Sequence, residues 1–209
     1  MENKPGQLTC MSKKGKFIAI EGIDGSGTTT QTQLLAEALE CGGIKVVATA
    51  EPSDGVVGKI IREILEGDTA VPPETLALLF AADRVEHYFN SIKPAIDKGM
   101  WVVTDRYLLS SIAYQSLYCD PKWVKVINSR VAVPDLTILC DIKVDEALSR
   151  LKSRGAGQQI FEKKKILEKV RRNYLKAAKD SENGTVTLID ASVSIEKVHR
   201  NIMRMLSLK

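Results

Sequence analysis

The sequence predicts an α/β domain built on about five parallel strands, with helices on both faces of the sheet. Short continuous apolar runs, rich in β-branched residues, alternate along the chain with longer segments of helical periodicity. Runs without an inside/outside alternation are typical of strands buried on both faces, as in parallel sheets. The length of 209 residues, with 44% hydrophobic and 27% charged residues, fits one globular domain with an ample core.

The five apolar runs read FIAI at 17–20, VVA at 46–48, WVV at 101–103, LTIL at 136–139 and VTLI at 186–189. Apolar residues spaced by three and four predict helices near 29–39, 57–65, 74–96, 108–117, 145–153, 162–179 and 195–206. Ligands of such sheets bind beyond the carboxyl ends of the strands. The residues that follow each strand are therefore the first candidates for function.

The chain ends, charge and cysteines narrow the class of protein further. Residues 1–15 form a polar N-terminal tail, and no stretch of about 18 apolar residues predicts a membrane span. Thirty basic against 26 acidic residues leave a net charge of +4, which gives no reason to expect a nucleic-acid or membrane partner. Four scattered cysteines without a C-x-x-C spacing argue against zinc and favour a reduced cytoplasmic protein.

A glycine-rich loop, EGIDGSGTTT at 21–30, directly follows the first strand and precedes a helix. Gly22 and Gly27 have the spacing of the phosphate-binding loop G-x-x-x-x-G-K-[ST], whose backbone N–H groups cradle phosphates at a helix N-terminus. The expected ATP-binding residues are Gly22, Ile23, Asp24, Gly25, Ser26, Gly27, Thr28 and Thr29. Thr29 takes the hydroxyl position that holds Mg²⁺.

Thr28 stands where this loop normally carries lysine. That lysine neutralises the β- and γ-phosphates. Either another cation substitutes for it, or the loop binds a nucleotide without transferring phosphate.

Two further strand ends carry charged residues. Asp105 follows an apolar strand and is expected to reach the magnesium site, while the planar fork of Arg106 suits the phosphate of an acceptor. Glu51, before Pro52, follows the second strand and is a candidate to order Arg106 or a metal-bound water. A plain strand-terminating turn is the alternative for Glu51.

Two pairs of residues on helices are candidates for recognising a base. Phe80 and Arg84 lie four apart on one helical face, suited to stacking a base and hydrogen-bonding its edge. Taken alone, Phe80 also fits an ordinary core position. Ser111 and Tyr114 share a face of the helix after Asp105 and are candidates to contact a base and its sugar.

The chain resembles the thymidylate kinase family over nearly its whole length from Phe17. The resemblance rests on EGIDGSG (21–27), EP (51–52), LFAADR (79–84), DRY (105–107) with Ser110 and AYQ (113–115), and PD (134–135). It implies a P-loop NTPase fold over residues 16–209 with a lid at about 150–165. It also implies transfer of the ATP γ-phosphoryl group to dTMP, giving dTDP and ADP for dTTP synthesis, with Mg²⁺ and as a homodimer.

The resemblance also implies roles for individual residues. Asp24 would lie between the two phosphate sites, and Arg106 would hold the monophosphate. Phe80 would stack on thymine and Arg84 would bond its carbonyl. The remaining contacts would be Ser111 or Gln115 at the base edge and Tyr114 against the 2′ position.

The chain departs from the family pattern at three places. Thr28 replaces the lysine, Ala50 stands where many bacterial members carry arginine, and the lid reads QIFE at 159–162. Arg150 and Arg154, spaced i and i+4, project from one helical face before a glycine-containing segment. We expect Arg150, Arg154 or a lid lysine to replace the missing lysine, so the expected catalytic set is Asp24, Arg106, Arg150 and Arg154.

Two other functions remain open at the level of sequence. A deoxynucleoside kinase would phosphorylate a neutral hydroxyl and need a general base, for which Glu51 is the candidate. A nucleotide-binding module without kinase activity would agree with Thr28.

Overall fold

The computed structural model describes residues 15–67, 69–153 and 160–208. Within them lies a five-stranded sheet of β1 (Phe17–Gly22), β2 (Val46–Ala50), β3 (Trp101–Asp105), β4 (Leu136–Asp141) and β5 (Val186–Asp190). The strand order is β2-β3-β1-β4-β5, and every neighbouring pair is parallel. The predicted α/β class and all five predicted strands are confirmed, and each strand extends past the predicted end because pairing continues into the polar residues.

The described residues form nine α-helices: α1 (Thr28–Cys41), α2 (Val56–Glu66), α3 (Pro73–His87), α4 (Lys93–Asp97), α5 (Leu108–Gln115), α6 (Pro121–Ile127), α7 (Val144–Ser153), α8 (Ile160–Ala177) and α9 (Ile195–Met205). All seven predicted helical segments are present. The segment predicted at 74–96 consists of α3 and α4 joined by a π-helical turn, Tyr88–Ile92. Helix α6 was not predicted, because it is only seven residues long; the Asp120 side chain caps it by accepting from the backbone N–H groups of Lys122 and Trp123.

Strand β1 lies at the centre of the sheet and is buried along its whole length. Ile18 and Ile20 belong to the larger core cluster, together with residues of α1, α5, α7, α8 and α9. Phe17 and Ala19, which point to the opposite face, pack with Ile92 and Ala95 in a second cluster. Helices therefore cover both faces, and the carboxyl ends of β1 and β3 meet side by side at one edge of the core.

Some sequence expectations fall outside the described residues. These are residues 1–14 of the expected tail, and residues 154–159 of the expected lid, which include Arg154. Among the described helices, none is long and apolar enough to cross a membrane.

Candidate active site

The glycine-rich loop connects β1 to α1, as the phosphate-loop motif predicts. Gly25 (φ 86°) and Gly27 (φ 94°) adopt left-handed backbone conformations that favour glycine. A side chain at Gly22 would meet the Cys140 carbonyl at 2.8 Å. The loop thus curls tightly over the end of β1, and helix α1 begins at Thr28 with its N-terminal N–H groups directed toward the loop.

Thr29 and Asp105 lie together at the mouth of this loop. The Thr29 hydroxyl donates to Asp105 Oδ2 at 2.5 Å. Asp105 Oδ1 and Ser26 Oγ are buried and have no hydrogen-bond partner among the described residues. Four oxygens, from Ser26, Thr29 and Asp105, are thereby gathered beside the phosphate loop, and two of them lack a hydrogen-bond partner among the described residues.

Arg106 links the phosphate loop to the neighbouring strand. Its backbone has φ 69°, a left-handed conformation that is uncommon for a residue with a side chain. Nη1 donates to the Gly22 carbonyl at 2.9 Å and Nη2 to Asp24 Oδ1 at 2.8 Å. The guanidinium also lies 5.4 Å from the centre of the Tyr114 ring. Burial acts to lower the pKa of Arg106, but Tyr114, Tyr174 and Asp24 together raise it, so its positive charge is permanent.

Tyr114 faces both Asp24 and Arg106. Its hydroxyl accepts from the Asp24 backbone N–H at 3.3 Å. Burial raises the pKa of Tyr114 to about 12, against the opposing effect of Arg106. The side chain is therefore a neutral phenol at physiological pH.

A cavity of about 370 Å³ opens beside Arg106. Its lining includes all seven residues that the sequence nominates for the acceptor: Glu51, Phe80, Arg84, Arg106, Ser111, Tyr114 and Gln115. Apolar side chains that sequence reasoning missed complete the wall, among them Leu65, Leu76, Tyr118 and Ile166. The structure thus brings residues from five segments of the chain to one pocket.

Gln115 carries an unused acceptor in this pocket. The side chain is only 9% exposed, and Oε1 has no hydrogen-bond partner among the described residues. A buried carbonyl oxygen without a donor is costly, so it marks a position where a ligand N–H would be favourable.

Arg84 is nearly inaccessible to solvent, with 1% exposure, and all five of its N–H groups are engaged. Nε and Nη2 donate to Glu51 Oε2 at 2.9 and 2.6 Å, and Nη2 also donates to the Tyr107 carbonyl at 3.0 Å. Nη1 donates to Ser111 Oγ at 2.9 Å and to Asn128 Oδ1. A hydrogen bond from Arg84 to a base carbonyl would therefore have to replace or share one of these contacts.

Glu51 does not take the position that the sequence suggested. Its carboxylate bonds Arg84 through Oε2 and His87 through Oε1, at 3.2 Å for the latter. Among the described residues its side chain forms no hydrogen bond with Arg106 or Thr29, because its oxygens face Arg84 and His87 of α3. Glu51 therefore does not order Arg106 directly in this structure, and its role at a metal-bound water stays a prediction.

Arg150 lies on α7, which packs against the phosphate loop: a side chain at Gly25 would meet the Ala147 carbonyl at 2.5 Å. The Arg150 Nη2 group donates to the Ala191 carbonyl, just after β5, at 2.8 Å. The helix of Arg150 thus packs against the loop, while its guanidinium lies at the end of β5, which β4 separates from β1. Its i+4 partner, Arg154, is outside the described residues.

Sequence reasoning missed a buried polar cluster behind Arg106. It consists of Glu21, Ser110 and Tyr174, from β1, α5 and α8. Glu21 and Ser110 stand inside the recognised motifs, but nothing in the sequence connects Tyr174 with them.

Comparison with known proteins agrees with this geometry. A family model described as thymidylate kinase matches residues 20–202. A "Probable thymidylate kinase" of Pyrococcus abyssi is 43% identical over 197 residues, which cover 91% of this chain and 95% of the relative. Proteins of the same description from Methanocaldococcus jannaschii (46% over 188 residues; 90% and 93% covered) and Pyrobaculum aerophilum (43% over 191 residues; 91% and 95% covered) match equally broadly.

Proposed function

The chain belongs to the thymidylate kinase family and is a nucleoside monophosphate kinase that phosphorylates dTMP, and from this premise we propose how its residues divide the work. ATP occupies the phosphate loop, and dTMP occupies the cavity lined by Phe80 and Gln115. The observation that carries this assignment is the position of Arg106, which bonds the phosphate loop at Gly22 and lines the cavity.

Arg106 holds the acceptor phosphate in line with the γ-phosphoryl group. An acceptor phosphate is already anionic near neutral pH, so alignment and charge neutralisation supply most of the catalysis and no general base is needed. The planar fork of Arg106 can grip two phosphate oxygens. Asp24, 2.8 Å from Nη2, steers the guanidinium between the two phosphate sites.

Mg²⁺ is part of the proposal, and the residues present fit it. Mg²⁺ binds oxygen ligands and is commonly held by one or two protein groups together with substrate phosphates. The Thr29 hydroxyl and the Asp105 carboxylate, whose buried Oδ1 has no hydrogen-bond partner within the described part of the chain, are the residues that would hold it, directly or through water. When bound, the ion supplies positive charge to the phosphates of ATP.

The acceptor base is read by shape and by few polar groups. Phe80 stacks on thymine, and Gln115 Oε1 accepts the N–H group at the base edge. Tyr114, whose phenol lies against Asp24, crowds the 2′ position. Ser111 and Arg84 form the wall of the base pocket. They hold each other in place, because Ser111 Oγ accepts a hydrogen bond from Arg84.

The two other functions that the sequence left open, a deoxynucleoside kinase and a nucleotide-binding module without kinase activity, agree less well with the site. A nucleoside kinase would need Glu51 as a general base, but both Glu51 oxygens are occupied by Arg84 and His87, and its exposure is 5%. A module without kinase activity would have no need for a strained, multiply bonded arginine between two ligand sites.

The direct test is ADP release with different acceptors at saturating ATP and Mg²⁺. We expect turnover with dTMP, weaker turnover with dUMP, and none with thymidine, because Arg106 then has no phosphate to hold. Phosphorylation of thymidine in preference to dTMP would contradict the proposal, and so would the absence of ADP with every nucleoside monophosphate.

We also propose that Arg150, alone or with Arg154 or a lid lysine, supplies the positive charge that Thr28 lacks. Its helix packs against the phosphate loop, which supports this role. We expect Arg150→Ala to lower kcat by roughly tenfold to a hundredfold, with a small change in KM for dTMP. Steady-state kinetics would measure it, with Arg172→Ala, an exposed arginine of α8, as the matched control. Normal rates in Arg150→Ala and in the double variant with Arg154→Ala would refute it.

The remaining expectations stay part of the same proposal. They are a single domain over residues 16–209, a lid at about 150–165, a cytoplasmic location and a homodimer. We expect neither a nucleic acid nor a membrane as a partner. The free cysteines Cys119 and Cys140, both buried, support a reducing compartment.

A further inference from the structure

We propose that the hydroxyl of Tyr174, together with Ser110 and Glu21, positions Arg106 for the acceptor phosphate. The inference rests on the proposed role of Arg106 and adds three residues, of which Glu21 and Tyr174 do not line the acceptor cavity and Ser110 does. Tyr174 comes from α8, 68 positions along the chain from Arg106. It is therefore a positioning residue contributed by a distant element.

Arg106 needs such support because of its backbone. Its left-handed conformation (φ 69°) is unfavourable for a residue with a Cβ atom, and such a conformation persists only where the surroundings over-determine it. Two backbone contacts hold the peptide: the Arg106 N–H donates to Ile20 O at 2.9 Å, and its carbonyl accepts from Thr104 Oγ1 at 2.9 Å. The long side chain must then be fixed separately, since an exposed arginine would lose much rotamer entropy on gripping a phosphate.

Tyr174 and Ser110 fix that side chain from behind. Arg106 Nη1 donates to Tyr174 Oη at 3.2 Å and to Ser110 Oγ at 3.3 Å, while the two hydroxyls lie 2.7 Å apart. These contacts use Nη1, whereas Nη2 bonds Asp24. Nη1 is thus committed to the groups behind it, whereas the hydrogen bond of Nη2 among the described residues is the one to Asp24.

Glu21 anchors both hydroxyls. Its Oε2 accepts from Ser110 Oγ at 2.5 Å and from Tyr174 Oη at 3.2 Å, and its Oε1 accepts from the N–H groups of Tyr107 and Ser110 at 2.9 and 3.1 Å. Burial raises the pKa of the Glu21 carboxyl, and the Ser110 hydrogen bonds together with the charge of Arg106 oppose that shift. The pKa of Glu21 stays raised because burial outweighs these donors, and the carboxyl group fixes the positions of both hydroxyls through its hydrogen bonds.

Helix α8 is itself held firmly where Tyr174 reaches the cluster. Asn173 Nδ2 donates to the Ala113 carbonyl of α5 at 2.9 Å. Arg171 forms a two-pronged ion pair with Asp141 at the end of β4, at 2.6 and 2.8 Å. Tyr174 is only 1% exposed and its ring packs edge-on against Tyr114. Its hydroxyl therefore has a defined position before any ligand arrives.

The test measures binding of dTMP and of thymidine by calorimetry to the wild type, Tyr174→Phe, Arg106→Ala and the double variant. Tyr174→Phe removes one hydroxyl and keeps the ring. We expect it to weaken dTMP binding roughly tenfold, because it removes a hydrogen bond to a charged group, and to leave thymidine binding unchanged. In the Arg106→Ala background, the same substitution should have no further effect on dTMP.

Tyr88→Phe is the matched control, since Tyr88 is a partly buried tyrosine outside the cavity; it should bind dTMP normally. If Tyr174→Phe fails to fold, Ser110→Ala provides the same comparison. Equal losses for dTMP and thymidine, or a loss that persists without Arg106, would overturn the inference in favour of a merely structural role. If Arg106→Ala itself binds dTMP and thymidine as the wild type does, the proposed role of Arg106 fails instead.

Discussion

Replacing Arg106 by alanine is expected to lower kcat/KM for dTMP by roughly a thousandfold, the effect of removing an arginine that stabilises a transferring phosphoryl group. Arg106 is the described side chain that contacts the phosphate loop, Asp24 and the acceptor cavity at once. Its removal takes away both the charge and the alignment of the acceptor. Steady-state kinetics with dTMP as the varied substrate would measure the effect.

Arg106→Lys separates charge from geometry. Lysine keeps the positive charge but presents a single ammonium group, so it cannot hold the Gly22 carbonyl, Asp24 and two phosphate oxygens together. We expect it to recover only a small part of the lost activity. Arg130→Ala, at an exposed arginine, should behave as wild type. Arg106→Ala within threefold of wild type would contradict the assignment.

The sheet and the residues at its strand ends were predictable because strands buried on both faces are continuous apolar runs in the sequence. Continuous apolar runs predict the strands, so Asp105 and Arg106 could be nominated because they end or follow a strand, and Thr29 could be nominated from the phosphate-loop motif. The short helix α6 left no comparable periodic pattern, because seven residues make fewer than two turns.

The detailed partners were not predictable, because they depend on side-chain direction rather than on position along the chain. Sequence spacing placed Glu51 and Arg84 near a ligand, but it could not show that their charges satisfy each other. It also gave no sign that Tyr174 reaches Arg106 across 68 positions. Buried polar groups find partners in three dimensions, and periodicity along one helix or strand cannot reveal them.

Replacing Asp105 by asparagine is the second change with a large expected effect. Asparagine has nearly the same shape and can still accept a hydrogen bond from the Thr29 hydroxyl, which donates to Asp105 Oδ2 at 2.5 Å. The fold should therefore be retained. The amide lacks the negative charge and the second oxygen that a magnesium site at Oδ1 requires.

We expect Asp105→Asn to lower kcat by roughly a hundredfold and to raise the Mg²⁺ concentration needed for half-maximal activity by about tenfold to a hundredfold. Titration of Mg²⁺ at fixed ATP and dTMP would measure both effects, and Asp97→Asn, at an exposed ion pair with Lys93, is the matched control.

Variants of Thr29 test the same site from the other side. Thr29→Ser should keep most of the activity and Thr29→Val should resemble Asp105→Asn, because serine retains the hydroxyl and valine does not. A loss of activity in Asp105→Asn with an unchanged Mg²⁺ requirement would mean that the buried Oδ1 orders the phosphate loop and does not contribute to the metal site.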